Sequence, residues 1–215
     1  MFADFQSHFY AMFFAAITLL AVLNPFGNLT QFLSMTEDMV LTTRKKLFRI
    51  ILYTALTIVM TFLFTGPFMM KYIFNIGLDD LRIAGGLILM VMATKNLLLS
   101  SEAHKSKQDF SQYQNLSENE ILRKSIIPMA FPMLVGPGAL STVIVVSEDS
   151  GMLIGFGCVC FAFAFMFILF HFAATIERIV GKLILHIFSR IAQVFIMAIG
   201  VKMLIVGIKD IFILA

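Results

Sequence analysis

Six apolar runs follow one another along this chain, each long enough, or nearly so, to reach across a lipid bilayer. They cover residues 9–23 continuing through 29–35, then 50–70, 83–99, 126–146, 151–174 and 191–208. A helix crossing the hydrocarbon core needs roughly 17–25 apolar residues. Lipid offers no partner to an unpaired backbone N–H or C=O, so a spanning segment must satisfy its own groups, as a helix does. The expected fold is therefore an all-α integral membrane protein with six transmembrane segments, whose partner over most of its surface is the bilayer. Composition agrees, with 60% hydrophobic and 13% charged residues, 24 Phe, 15 Met and a mean hydropathy of +0.93. A soluble domain has about 45–50% apolar and about 25% charged residues.

The charged residues cluster between the runs and set an expected topology. Arg44, Lys45, Lys46, Arg49, Lys105, Lys107, Arg123, Lys124, Arg178, Lys182 and Arg190 fall in three alternate loops, while the other side carries little beyond Lys71, Arg82 and Lys209. Basic loops stay in the cytoplasm, which places residues 100–124 there and both termini on the periplasmic side. The first residues carry Asp4 and no basic residue, and no cleavage pattern follows Leu23, so they read as a retained span rather than a signal peptide. A net charge of +3 gives no reason to expect a nucleic-acid partner. Association into a homo-oligomer is left open by the sequence.

The chain repeats itself. Arg82-Ile83-Ala84 opens the third run and Arg190-Ile191-Ala192 opens the sixth. In the first run Asn24-Pro25-Phe26-Gly27-Asn28 leads to Thr36-Glu37-Asp38, and in the fourth Gly136-Pro137-Gly138-Ala139 leads to Ser147-Glu148-Asp149. Residues 1–99 and 125–215 thus read as two three-helix repeats joined by the polar 100–124 loop. Three spans is an odd number, so the second repeat enters the membrane inverted, and interrupted helices at matching places in inverted repeats point to a secondary transporter.

Proline lacks an N–H and clashes with the preceding turn, so helices at Pro25 and Pro137 are expected to break and free backbone groups at membrane depth. The expected substrate site is built on those breaks: Asn24, Pro25, Gly27, Asn28 and Thr30 on one side, Gly136, Pro137, Gly138, Ser141 and Thr142 on the other. Gln31 and Ser34 are further polar neighbours. The new helix N-termini offer N–H groups and a positive dipole end to an anion. Lys202, twelve residues past Arg190 and so about 18 Å along a helix, is expected to join them, whereas Lys95, close to the end of its run, is expected to snorkel to the cytoplasmic surface. The opposing interpretation is a pair of repaired kinks in a membrane scaffold.

The apolar runs contain no Asp or Glu, which argues against a carboxylate proton relay, and no nucleophile–base pair, metal-ligand spacing or phosphate-binding loop suggests an enzyme, a metal or a cofactor. Cys158 and Cys160 share the fifth run and read as small apolar residues.

Two segments then become recognisable. Leu23-Asn24-Pro25-Phe26-Gly27-Asn28 with Phe32-Leu33-Ser34-Met35-Thr36, and residues 132–142, Pro-Met-Leu-Val-Gly-Pro-Gly-Ala-Leu-Ser-Thr, resemble the signature segments of the MarC family of bacterial multi-pass inner-membrane proteins. Arg82-Ile83-Ala84-Gly85-Gly86 is similar to the start of that family's third helix, and Thr30 stands where its members often carry a second proline. The resemblance implies a bacterial inner membrane and a place beside the LysE-type exporters. It supplies no substrate; together with the paired helix N-termini and Lys202 the expectation is a secondary transporter or exporter of a small anionic or zwitterionic solute, with a non-transporting assembly or regulatory protein as the alternative. A transmembrane thiol-electron carrier is disfavoured, because such carriers set cysteines beside the paired prolines.

Overall fold

The computed structural model describes residues 2–36, 39–98, 126 and 129–214. All regular structure among them is helical: α1 (Phe2–Leu23), α2 (Pro25–Met35), α3 (Leu41–Phe68), α4 (Leu78–Leu98), α5 (Pro137–Ser150), α6 (Met152–His171) and α7 (Ala173–Leu214). A wider turn at Met69–Phe74 extends α3, an irregular turn at Met129–Leu134 precedes α5, and α7 is broken at Gly181, whose φ of 81° only glycine adopts readily. The expected 100–124 loop and the acids Glu37 and Asp38 lie outside the described residues.

Five stretches among the described residues are long and apolar enough to span, namely His8–Met35, Leu41–Phe74, Leu78–Leu98, Met152–His171 and Leu183–Phe212. The sixth expected span, the fourth apolar run, is not among them. The fourth apolar run does not form one helix, because Pro132, Gly136 and Pro137 interrupt it and leave α5 with 14 residues. At 1.5 Å per residue α5 is about 21 Å long, short of the roughly 30 Å hydrocarbon core.

Side-chain placement shows what the solvent is. Phe64, Val91, Ile168, Val194 and Ile205 are all more than half exposed. On α3 the hydroxyls of Thr57, Thr61 and Thr65 donate to the carbonyls four residues back at 2.9, 2.8 and 2.7 Å, which hides them from an apolar surrounding.

The main core joins α1, α2, α3, α5 and α6, with Phe32, Phe48 and Phe170 meeting at centroid separations of 5.6–6.0 Å. A smaller cluster of Leu89, Ala93 and Ile196 sits between α4 and α7, which form the most extensive helix pair. They run antiparallel: Arg82 meets Asp210, Gly86 meets Gly200, Asn96 meets Gln193 and Leu97 meets Arg190. Glycine is required at the crossing. A Cβ on Gly86 would stand 2.6 Å from the Gly200 carbonyl oxygen, and one on Gly200 would stand 2.8 Å from that of Gly86.

Candidate functional site

The first break is made by Asn24. Its backbone is left-handed, at φ 45° and ψ 65°, a conformation asparagine tolerates better than most residues. Its Oδ1 accepts from the Gly27 N–H at 3.2 Å, capping α2, while Pro25 occupies the first helical position where no N–H is needed. Asn28 repairs the end of α1 by donating from Nδ2 to the Leu23 carbonyl at 2.6 Å. The second break has Gly136 before Pro137 and no side-chain cap.

Between the two breaks lies a cavity of about 590 Å³, bounded by α1, α2, α4, the Met129–Leu134 turn, the start of α5 and α7. Of the expected site residues, Asn24, Gly27, Asn28, Thr30, Gly136 and Pro137 line it. Asn24, Asn28, Gln31 and Ser34 recur at intervals of four, three and three residues, so they form one polar stripe down the cavity face of α2. Leu29 and Phe32 turn to the core.

The remaining expected residues lie elsewhere. Pro25 is buried at the head of α2 and does not line the cavity. Gly138 lies beneath Leu89, with which a Cβ would collide, and the methyl of Met92 stands 3.1 Å from where a Cβ of Gly136 would be. Apolar side chains therefore cover the start of α5, where an anion was expected. Ser141 and Thr142 are buried in helix packing and donate to the carbonyls of Pro137 and Gly138 at 3.1 and 2.8 Å. Lys202 is exposed and away from the cavity. The reason is helical phase. The face of α7 carrying Arg190, Gln193 and Ile196 continues through Gly200 onto α4, and two further residues turn about 200° at 3.6 residues per turn.

The cationic end is supplied by Lys95 and Arg190, which the sequence analysis had placed at the cytoplasmic surface and in a basic loop. Lys95 and Asn96 from α4, with Glu177, His186, Ser189, Arg190 and Gln193 from α7, line the cavity. Arg190 donates from Nη1 to the carbonyls of Asn96 and Leu97 at 3.0 and 2.5 Å, closing the C-terminus of α4, and from Nε to His186 Nε2 at 3.4 Å. Asn96 Nδ2 donates to Gln193 Oε1 at 3.4 Å. The signal in the sequence was the spacing of His186, Ser189, Arg190 and Gln193, a helical stripe that runs into the sixth apolar run.

The two ends of the cavity differ. Gln31, Lys95, Asn96 and His186 are exposed at one end, whereas Leu23, Leu89, Leu134 and Ile196 are buried at the other. Arg44, 9% exposed, ties the open end together, donating from Nε and Nη2 to the Thr36 carbonyl at 3.0 and 2.7 Å and approaching Glu177 at 4.0 Å. Beyond the floor, past α5, an ionic cluster joins three helices. Arg82 pairs with Asp79 of α4 at 2.7 Å, with Asp210 of α7 at 2.8 Å and with Asp149 of α5, while Lys71 pairs with Glu148 at 2.9 Å. Among the described residues no group of His, Cys, Asp and Glu has the arrangement of a metal site.

A multi-pass helical membrane protein with an internal cavity between two broken helices is the class that these features define. The chain belongs to the MarC family: the model described as MarC family integral membrane protein matches residues 9–212. Among its relatives, the UPF0056 membrane protein YvbG of Bacillus subtilis (strain 168) is 30% identical over 203 residues, covering 91% of this chain and 93% of that protein. The UPF0056 membrane protein YhcE of Escherichia coli (strain K12) is 30% identical over 215 residues, covering 98% and 96%. A UPF0056 membrane protein of Buchnera aphidicola subsp. Schizaphis graminum (strain Sg) is 32% identical over 212 residues, covering 97% and 95%. No solved structure matches the chain.

Proposed function

We propose that this chain is a secondary transporter that moves a small anionic or zwitterionic solute across a bacterial inner membrane. The observation that carries the proposal is the cavity between the two breaks, open through a polar and cationic end and closed at the other by a packed floor and the Arg82 cluster. A scaffold has no need of such a space, and break regions packed dry would have favoured one. On the basic-loop topology the open end faces the cytoplasm, and the Arg82 cluster is the closed periplasmic gate of an alternating-access cycle. The solute-binding residues are Asn24, Gly27, Asn28, Thr30, Gln31, Lys95, Asn96, Arg190 and Gln193, with Gly136 and Pro137 shaping the wall. No enzymatic step, cofactor or metal enters this proposal.

Two inverted repeats, residues 1–99 and 125–215, accompany the proposal. Three correspondences support them. The third helix of each repeat pairs with the other through the reciprocal Gly86–Gly200 contact. Arg82 and Arg190, which open the matching tripeptides, tie α4 to α7 at opposite ends. Thr36, which caps the end of α2, and Ser147, in the last turn of α5, are both buried, with hydroxyls donating to the carbonyls of Phe32 and Ile144 at 2.7 and 2.8 Å.

The test is flux in liposomes containing the purified protein, screened against a panel of organic anions and amino acids. Transport of a panel member should fall about tenfold or more in Lys95→Met, since a charge-assisted contact contributes about 1.5–3 kcal/mol at about 1.4 kcal/mol per decade. Lys202→Met should leave it unchanged. Failure of every panel member to move, with the protein folded, would return the chain to the scaffold class.

A further inference from the structure

Lys202 has no part in the cavity, and its place in the fold is unusual for a lysine. It lies within the Leu183–Phe212 span, is exposed, and makes no ion pair among the described residues. A charged side chain within a span almost always faces protein or a water-filled space, because lipid neither solvates nor pairs it. Snorkelling falls short of the ionic layer. Asp210, in the Arg82 cluster, is eight residues further along α7, about 12 Å at 1.5 Å per residue, and the four-carbon lysine stem covers about half of that.

The face around Lys202 carries a pattern. Ile191, Phe195, Ala198, Lys202 and Ile205 are all exposed and follow one another at alternating intervals of four and three residues. That spacing is the seam along which one helix packs lengthwise against another, and a lone polar residue within such a seam fixes its register.

Complementary acceptors stand on α3. Tyr53, Thr57, Thr61, Phe64 and Phe68 form an exposed stripe there, with Thr65 beside them. The hydroxyl hydrogens of the three threonines go to carbonyls four residues back, but each oxygen keeps lone pairs with which to accept, and an ammonium has three donors and no acceptor. Depth agrees as well. Both helices end at one level, because Lys71 pairs with Glu148 while Asp210 shares Arg82 with Asp149, the next residue in the chain. Counted back from that level, Lys202 lies about 12 Å below Asp210, and Thr65 and Thr61 lie about 9 and 15 Å below Lys71. The two stripes do not meet within one chain: both are exposed, α3 packs against α5 and α6, and α7 packs against α4 and α2.

We propose that a second copy of this chain covers the exposed face of α7, the seam of one copy lying along the α3 stripe of the other, with Lys202 donating to the hydroxyls of Thr61 and Thr65. The paired helices run in the same direction, so both copies are inserted alike, as their identical basic loops require. Each copy keeps its own cavity, and the association does not depend on the transporter reading.

The experiment measures self-association of the purified full chain in liposomes, by energy transfer between donor- and acceptor-labelled copies as the protein is diluted with lipid. Lys202→Met should weaken association about ten- to hundredfold, the loss expected for a charge-assisted hydrogen bond, whereas Lys202→Arg, which keeps the charge and the donors, should retain most of it. Thr61→Val with Thr65→Val should weaken it about as much, and combining that pair with Lys202→Met should cost little more, as residues of one contact behave. All three positions are exposed, so the fold tolerates the changes. A second arm uses chains with Cys158 and Cys160 replaced by alanine. Copies bearing Ala198→Cys and copies bearing Thr57→Cys, at levels of about 18 and 21 Å on the same count, should form a mixed disulfide-linked dimer when oxidised together in native membranes. Monomers at every dilution, Lys202→Met copies that associate as tightly as the unchanged chain, as they would if the lysine only reached lipid phosphates, or Ala198→Cys copies that link only to one another would each overturn the assignment.

Discussion

Replacing Arg82 with glutamine should unlatch the closed side of the molecule. The guanidinium is 13% exposed and faces three carboxylates, Asp79, Asp149 and Asp210, whose side chains are 22%, 40% and 35% exposed. Breaking a fully buried pair costs about 3–5 kcal/mol, whereas an exposed pair contributes about 0.2–1 kcal/mol. These exposures place the cluster between the limits, near 2 kcal/mol, and at about 1.4 kcal/mol per decade the open population should rise roughly thirtyfold. Thr142 reports it. It is 3% exposed, six residues past Gly136 at the cavity and seven before Asp149 at the cluster. With Cys158 and Cys160 replaced by alanine, a Thr142→Cys chain should react with an impermeant thiol reagent from the periplasmic side roughly thirty times faster when Arg82→Gln is added. Changing Asp79, Asp149 and Asp210 to asparagine as well should recover part of the closure, because the stranded like charges are gone. An unchanged labelling rate in a variant with unchanged thermal stability would refute the idea that this cluster holds the side shut.

Three further outcomes follow from local geometry. Asn24→Ala should lower the melting temperature in detergent, since losing an N-cap costs about 1 kcal/mol and alanine resists the left-handed backbone, while Asn24→Gly should lose only a few tenths. Gly86→Leu should destabilise by about 1–3 kcal/mol or more, because any Cβ there meets the Gly200 backbone, and chemical denaturation of the purified protein checks it. Replacing Cys158 and Cys160 together with alanine should leave solute flux in liposomes nearly intact; complete loss with normal folding would bring back the thiol-carrier interpretation.

The sequence by itself determined the solvent, the helical class and the places where helices stop. Those properties are local or additive. Runs of Leu, Ile, Phe and Val decide for lipid, and a proline beside glycine or asparagine breaks a helix wherever it stands, so the breaks at Asn24 and Gly136 were legible residue by residue. At the fourth run the apolar length was visible, but the irregular Met129–Leu134 turn and the 14-residue α5 depend on packing. What only the tertiary structure decided was direction. Lys202 and Arg190 lie on the same helix, and sequence reasoning put the first in the site and the second on the surface. The close Gly86–Gly200 crossing of α4 and α7 fixes the rotation of both helices, sending Arg190 and Gln193 inward and Lys202 out. The same packing laid Leu89 and Met92 over the start of α5 and brought Arg82 to Asp210, 128 residues away. A helix carries its polar stripe in its sequence, but the angle at which it presents that stripe is set by the neighbours it packs against.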